Sequence, residues 1–458
     1  MVKNWDQAIL DYMDEQTESL AGMLAELIRI PTVNPYSGDP DPAGEGEGQR
    51  YLRERMIEAG GNPEWVSVPP DIYRRAGILG PCLRSWDGRA NLVGRFRFGD
   101  GPGPTIVLNA HMDTVGVSDF DGEPFAGRCD GDIIYGRGAS DCKCGVVAGL
   151  FAIRALHAIH VPVNCEILFE SVVDEECNGS GAGTLACCLA GVRGHYALAL
   201  DGKYGLIYTG CQGLATVEVT VRGRAGHAAL GGVSALDKLV LVKEVLDRLA
   251  TERARTQPGY CINVGILQAG LAPWTVPNHG WLAANLSYAY AEAEAAEAAG
   301  KGFGGAILRE RFETLLADVC ARDEWLRDHR PAIVWVKDLP PFGPKDSPDS
   351  SASAVLQAAA RNAFVAASGR EPVLGEIAGW ADATHIVRTS HVPVIGMGAG
   401  EQGTAHTATE YNKVSNVRQI AAAVAMAVLR LAGRKNRCSP ADRSPFRNNS
   451  EAMKKSGP

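Results

Sequence analysis

Four apolar runs constrain this chain more than any other feature. They cover 105–109, 165–173, 196–200 and 392–396, and each has the length of one buried strand. The first runs into Ala110-His111-Met112-Asp113, the second into Asp174-Glu175-Glu176 and the third into Asp201, while the fourth leads through a Gly-rich loop to His406. A further acid, Asp141, follows Gly136-Arg137-Gly138 just before a helical pattern. Helical spacing is predicted over 145–157, 181–189, 353–366 and 417–431. Short apolar runs alternating with helices give an α/β fold with a mostly parallel sheet flanked by helices and buried on both faces. In such sheets ligand sites form beyond the carboxyl ends of the strands. His111, Asp141, Glu176, Asp201 and His406 are therefore expected at one place, although they are scattered over most of the chain.

The flanking sequence follows other rhythms. Residues 5–30 are predicted as one helix capped by Asn4, broken by the prolines at 31 and 35, and 45–59 as a second. Between 213 and 338 the order becomes strand 214–222, helix 234–250, strands 261–268 and 280–290, helix 305–321 and strand 332–337. That βαββαβ order predicts an inserted α+β unit of ferredoxin-like type, with hinges at 208–213 and 339–348. The expected division is 1–212 with 339–433 as one discontinuous domain, 213–338 as the insertion, and 434–458 as a disordered tail. The tail carries seven basic and two acidic residues without apolar periodicity.

Charge and composition exclude several classes. Asp plus Glu total 53 against 45 Lys plus Arg, a net charge of −8, which argues against a nucleic-acid-binding face. No apolar run approaches the ~18 residues that would span a bilayer. The N-terminus lacks a signal-like apolar region, so the twelve cysteines are expected as small buried thiols in a reducing cytoplasm. Cys142 and Cys144 are poor nucleophile candidates, because neighbouring acids raise a thiol pKa.

Two imidazoles and three carboxylates suit zinc in a catalytic site with an open position. Paired metals about 3.5–4 Å apart need a bridging ligand. A carboxylate has two oxygens, and Asp141 is the candidate. Asp113 lies two residues from His111, so in an extended segment it faces the same side and fixes the imidazole tautomer. Glu175 points away from its neighbour Glu176, so one binds metal while the other serves as general base. The glutamate-containing HExxH signature of zincins is absent around His406.

Ala110-His111-Met112-Asp113-Thr114-Val115, the segment Gly136-Arg137-Gly138-Ala139-Ser140-Asp141-Cys142-Lys143, Asp174-Glu175-Glu176, and Gly403-Thr404-Ala405-His406-Thr407-Ala408-Thr409-Glu410-Tyr411 together resemble the M20 metallopeptidase family over about residues 10–432. The resemblance implies a zinc-peptidase-like catalytic domain with an inserted lid and dimerisation domain. It also implies two divalent metal ions, zinc first, with cobalt or manganese as substitutes. His111, Asp141 and Asp201 would hold one ion, and Asp141, Glu176 and His406 the other. Asp113 would support them and Glu175 would be the base. Arg224-Ala225-Gly226-His227-Ala228-Ala229 matches the family's lid motif, so His227 would stabilise the oxyanion, often in the partner subunit's site.

The substrate region departs from the family pattern. Trp274-Thr275-Val276-Pro277-Asn278 leads into Leu286-Ser287-Tyr288-Ala289-Tyr290 without the usual arginine, and Gly379-Trp380-Ala381-Asp382 replaces Gly-Gly-Thr-Asp. Asn278, Trp274, Trp380 and Asp382 are the candidate substrate contacts, with Trp281 as a further aromatic wall. The expectation is a cytoplasmic, homodimeric, metal-dependent hydrolase of an amide-type C–N bond in a small molecule, acting on neither nucleic acid nor membrane. An aromatic-amine C–N hydrolase and a non-catalytic dimeric interaction module are the alternatives.

Overall fold

The computed structural model describes residues 4–433 except 82–83, 178–179 and 348. The tail expected at 434–458 lies outside the described residues. Asn4 caps the first helix, its side-chain oxygen accepting the Gln7 N–H at 3.3 Å. The single helix expected over 5–30 is two, Trp5–Glu15 and Thr17–Arg29. The break at Gln16 lets the first half pack on the C-terminal helix Val414–Ala432 and the second on Lys143–Ala158.

The main sheet has eight strands in the order Asn62–Ser67, Ala90–Phe98, Cys165–Val172, Thr105–His111, Tyr196–Ala199, Val394–Gly396, Leu206–Cys211, Val373–Ile377. The four central strands are mutually parallel, with Thr105–His111 between Cys165–Val172 and Tyr196–Ala199. Their carboxyl ends therefore share one edge, where His111, the Asp174–Glu176 loop and Asp201 emerge. The sheet is α/β and mostly parallel in its centre. Two antiparallel strands, Asn62–Ser67 and Ala90–Phe98, extend it on one side.

Helices cover both faces. Lys143–Ala158, Val414–Ala432 and Ser350–Ser368 share one large apolar core with the inward residues of the sheet. Ala182–Leu189 and Ala383–Thr389 lie against the other face. Val414–Ala432 is 19 residues long and apolar enough to span a bilayer by composition, longer than the sequence suggests. Its apolar window is 72% buried, so that hydrophobicity is used in packing.

The insertion is an antiparallel sheet in the order Ile262–Ala269, His279–Tyr288, Gly213–Arg222, Ala332–Leu339. Ala215, Val217, Val219 and Val221 alternate inward onto the helices Ala235–Thr256 and Ala306–Arg322. A third helix, Tyr290–Ala298, was not expected. The first expected hinge, 208–213, is largely strand. Leu206–Cys211 continues almost directly into Gly213–Arg222, and the Cys211 N–H donates to the Phe342 carbonyl of the returning chain at 3.0 Å. Pairing between the two crossings satisfies backbone groups that a free hinge would leave to water.

Candidate metal centre

Asp141 joins the two histidines. Its Oδ1 lies 3.0 Å from Nε2 of His111, and its Oδ2 lies 3.2 Å from Nε2 of His406. Glu176 Oε1 is 3.0 Å from the same His406 nitrogen. Ligand atoms of His111, Asp141 and Glu176 fall within 4.8 Å of one another, as do those of His111, Cys142 and Asp201. The structure thus gathers all five sequence-predicted ligands at the sheet edge. It also brings in Cys142, whose thiol donates to the Leu200 carbonyl at 3.7 Å.

Backbone geometry aims these groups. Asp174 and His406 adopt positive φ values of 65° and 60°, unusual for residues with a Cβ. Such conformations persist where surrounding contacts over-determine them, and they concentrate at functional loops. The Asp174 carboxylate is held by Arg84 at 2.5 Å, Arg89 at 3.2 Å and the Ser180 hydroxyl at 2.7 Å.

Asp113 acts differently from the sequence expectation. Nδ1 of His111 meets the main-chain oxygen of Asp113 at 2.9 Å, whereas the carboxylate is 3.7 Å away. The carboxylate instead accepts the N–H groups of Glu175 at 3.2 Å and Glu176 at 3.0 Å, plus the Asn34 amide at 2.7 Å. One residue therefore fixes the imidazole through its backbone and the acidic loop through its side chain.

The supporting roles of Glu410, Arg137 and Lys143 were missed. Glu410, four residues after His406, lies immediately before the short strand Tyr411–Lys413. It accepts the N–H groups of Ser140 at 2.8 Å and Asp141 at 3.1 Å, and Arg137 at 2.8 Å. Lys143, fully buried, donates to the carbonyls of Leu27 at 3.0 Å and Ile30 at 2.8 Å. Burial pushes its ammonium down to about 7. Gly136-Arg137-Gly138 was the visible sign of this support, but its partner Glu410 is distant in sequence.

The electrostatics are those of crowded acids. Burial, then Asp141, pushes Glu176 up to about 7 and Asp201 up to about 6. Glu175 is raised well above the carboxylate range, chiefly by burial. Burial opposes ionisation of Asp141, but its hydrogen bonds to His111 and His406 hold it well below that range. His406 is pushed up to about 12, first by the Glu176 charge. Mutually repelling carboxylates beside imidazoles are a donor set that divalent cations satisfy. Burial raises the Cys142 and Cys144 thiols, which disfavours a thiolate nucleophile.

The remaining candidates divide. Asp382 lies buried beside the cluster, its Oδ2 accepting the Thr184 hydroxyl at 2.7 Å, and burial pushes it up to about 7. Trp380 is buried in an apolar cluster, its indole N–H donating to the Pro340 carbonyl at 3.1 Å. Neither is an exposed pocket wall. His227 and Trp274 are exposed on a small ribbon of the insertion, where His227 pairs with Thr275. The Asn278 carbonyl accepts the Gly223 N–H at 2.8 Å. Trp281 donates to Gln268 within the inserted sheet.

A parallel sheet whose edge gathers imidazoles and carboxylates, carrying an α+β insertion, defines a metallohydrolase-type architecture. The model of peptidase family M20/M25/M40 matches residues 107–430, and the chain belongs to that family. An N-formyl-4-amino-5-aminomethyl-2-methylpyrimidine deformylase of Halalkalibacterium halodurans is 27% identical, over 72% of this chain and 74% of its own. A succinyl-diaminopimelate desuccinylase of Roseobacter denitrificans is also 27% identical, over 78% and 90%. The fold matches the di-peptidase Dug1p of Saccharomyces cerevisiae with a TM-score of 0.72 at 15% identity, covering 94% of this chain and 99% of that one. The chain is accordingly a hydrolase of this family, a class that uses divalent metal.

Proposed function

We propose that this protein removes an acyl group from a small N-acylated amine by hydrolysis at a site holding two divalent cations, zinc first. Asp141 carries the reading, because its two oxygens face different imidazoles at 3.0 and 3.2 Å. His111, Asp141 and Asp201 would hold one cation, and Asp141, Glu176 and His406 the other. Bound cations would polarise the scissile carbonyl and acidify water. Glu175 takes the proton from the attacking water and returns it to the leaving nitrogen. Asp113 keeps Glu175 and Glu176 in register through their backbone N–H groups.

The two sequence relatives are named for removing formyl and succinyl groups from amines, which supports N-deacylation over peptide cleavage. The missing arginine near 286–290 favours an amine without the usual carboxylate, and an aromatic one suits the exposed Trp274. His227 and Trp274 share one exposed ribbon, which supports a homodimer in which His227 serves the partner's site. The free thiols of the described cysteines fit a reducing, cytoplasmic setting. The test is a release assay with N-formyl and N-succinyl arylmethylamines on enzyme loaded with zinc, cobalt or manganese. Turnover that chelation abolishes is expected. No hydrolysis with any metal would overturn the proposal.

A further inference from the structure

The loop that carries the two adjacent glutamates is bounded by residues in the left-handed region, Asp174 at φ 65° and Cys177 at φ 57°. Such backbone is costly for residues with a Cβ and persists only where its surroundings hold it. Asp113 holds the middle of the loop, its carboxylate accepting the N–H groups of Glu175 and Glu176. One guanidinium holds both ends. Nη1 of Arg84 donates to the Asp174 carboxylate at 2.5 Å, and Nη2 donates to the Cys177 carbonyl at 3.1 Å. The Arg84 side chain is 5% exposed.

Arg84 is anchored in its turn. Its guanidinium lies over the Tyr36 ring, 4.2 Å from the centroid. The N–H of the next residue, Ser85, donates to the Tyr36 hydroxyl oxygen at 2.5 Å. Upstream, the Leu79 carbonyl accepts the Asp338 N–H at 2.9 Å, which pins this segment to the last strand of the insertion. Arg89 also reaches Asp174, at 3.2 Å, but it is bound to Glu45 through Nε and Nη2 at 2.7 and 2.5 Å. Positive charge at Asp174 is therefore supplied twice, whereas the bridge from Asp174 to Cys177 uses the fixed fork of Arg84.

We propose that Arg84 is a positioning residue for the general base. By spanning Asp174 and Cys177 it sets the loop conformation that aims Glu175 at the attacking water, acting through the backbone rather than on the reacting atoms. The inference rests on the assignment of Glu175 as base. Lysine at this position keeps a charge beside Asp174 but lacks the planar fork that holds both ends.

Arg84→Lys in the full-length protein tests this through hydrogen exchange of fragments spanning 173–177, with zinc and after chelation, alongside bound zinc, Tm and kinetics. The kinetic substrate is the N-formyl or N-succinyl arylmethylamine that the wild type hydrolyses. Exchange at 173–177 should be about tenfold faster, the equivalent of one hydrogen bond to a charged group. Zinc content, Tm and exchange in the helix Val414–Ala432 should match wild type. The value of kcat should fall about tenfold or more with KM within about twofold, as expected when a reacting group is misplaced. Unchanged exchange at 173–177 overturns the proposal, as does exchange that rises across the whole chain, which marks a general loss of stability. Loss of zinc would place the effect on Glu176 and also overturn it, as would faster local exchange with wild-type kcat. Full turnover in Glu175→Ala would overturn the base assignment itself, and the exchange readout does not depend on that assignment.

Discussion

Nε2 of His406 stands 3.0 Å from Oε1 of Glu176, although 230 residues separate them in sequence. The parallel strands bring Glu176 to the sheet edge, and a positive-φ turn brings His406 to meet it. Glu175, one residue earlier, has a buried side chain with a different assigned role. Glu176→Ala is therefore expected to lose about one equivalent of bound metal, together with activity. Glu175→Ala should retain metal while turnover falls about 10²–10⁴-fold, the usual contribution of a general base. Metal analysis by plasma mass spectrometry beside initial rates separates the two. Substantial turnover in Glu175→Ala would remove it as the base.

Glu410 meets the candidate metal site through the backbone N–H groups of Ser140 and Asp141. Loss of such outer support typically lowers metal affinity about 10–100-fold. Glu410→Ala also leaves the buried Arg137 without its carboxylate, a defect that costs about 3–5 kcal/mol. A weaker zinc isotherm and a lower Tm are expected together. Glu410→Gln retains an acceptor and should recover part of the affinity. Wild-type zinc affinity in Glu410→Ala would show that Asp141 needs no such support.

The central strands and the candidate ligands at their ends were legible because buried strands are continuous apolar runs, and the residues that end them stand out. Asn62–Ser67 was not legible: its burial is mixed, and Pro63 and Glu64 obscure any alternation. Ala90–Phe98 carries Arg95 and Arg97 among its apolar residues, which hid a strand paired on both sides. Asp113 was recognised as a supporting residue but given the wrong contact, since sequence spacing does not show whether a backbone or a side-chain oxygen meets His111. Arg84 and Arg89 gave no signal, because their partner Asp174 reads in sequence as one of three consecutive acids.

Buried Glu170 gives a pH signature independent of the metal. Burial pushes its carboxyl up to about 8, while Asn109 donates to it at 2.9 Å. An unfolded glutamate titrates near ~4.3. Between those values the native state holds a proton that the unfolded chain releases, so this group's contribution is full below the unfolded pKa and lost as pH rises through about 8. Glu170→Gln keeps an acceptor for Asn109 and cannot ionise. Its Tm relative to wild type should rise from pH 5 to pH 8.5, by an amount on the order of a few kcal/mol in stability. A pH-independent difference would mean that Glu170 is ionised in the native protein.

The exposed ribbon bearing His227 yields a test that no single-site variant provides. If His227 serves the partner's centre, Glu175→Ala and His227→Ala homodimers are each defective, for different reasons. In a mixed dimer, one centre combines Glu175 of one protomer with His227 of the other and is complete. Random reassortment of equal amounts gives half mixed dimers with one working centre in two, so recovery of about a quarter of wild-type activity is expected. Mixing after mild dissociation, followed by initial rates and sedimentation velocity, reads both the recovery and the assembly. No recovery despite confirmed mixed dimers would assign His227 to its own protomer's site or to none, and a monomer at working concentration would remove the dimer from the mechanism.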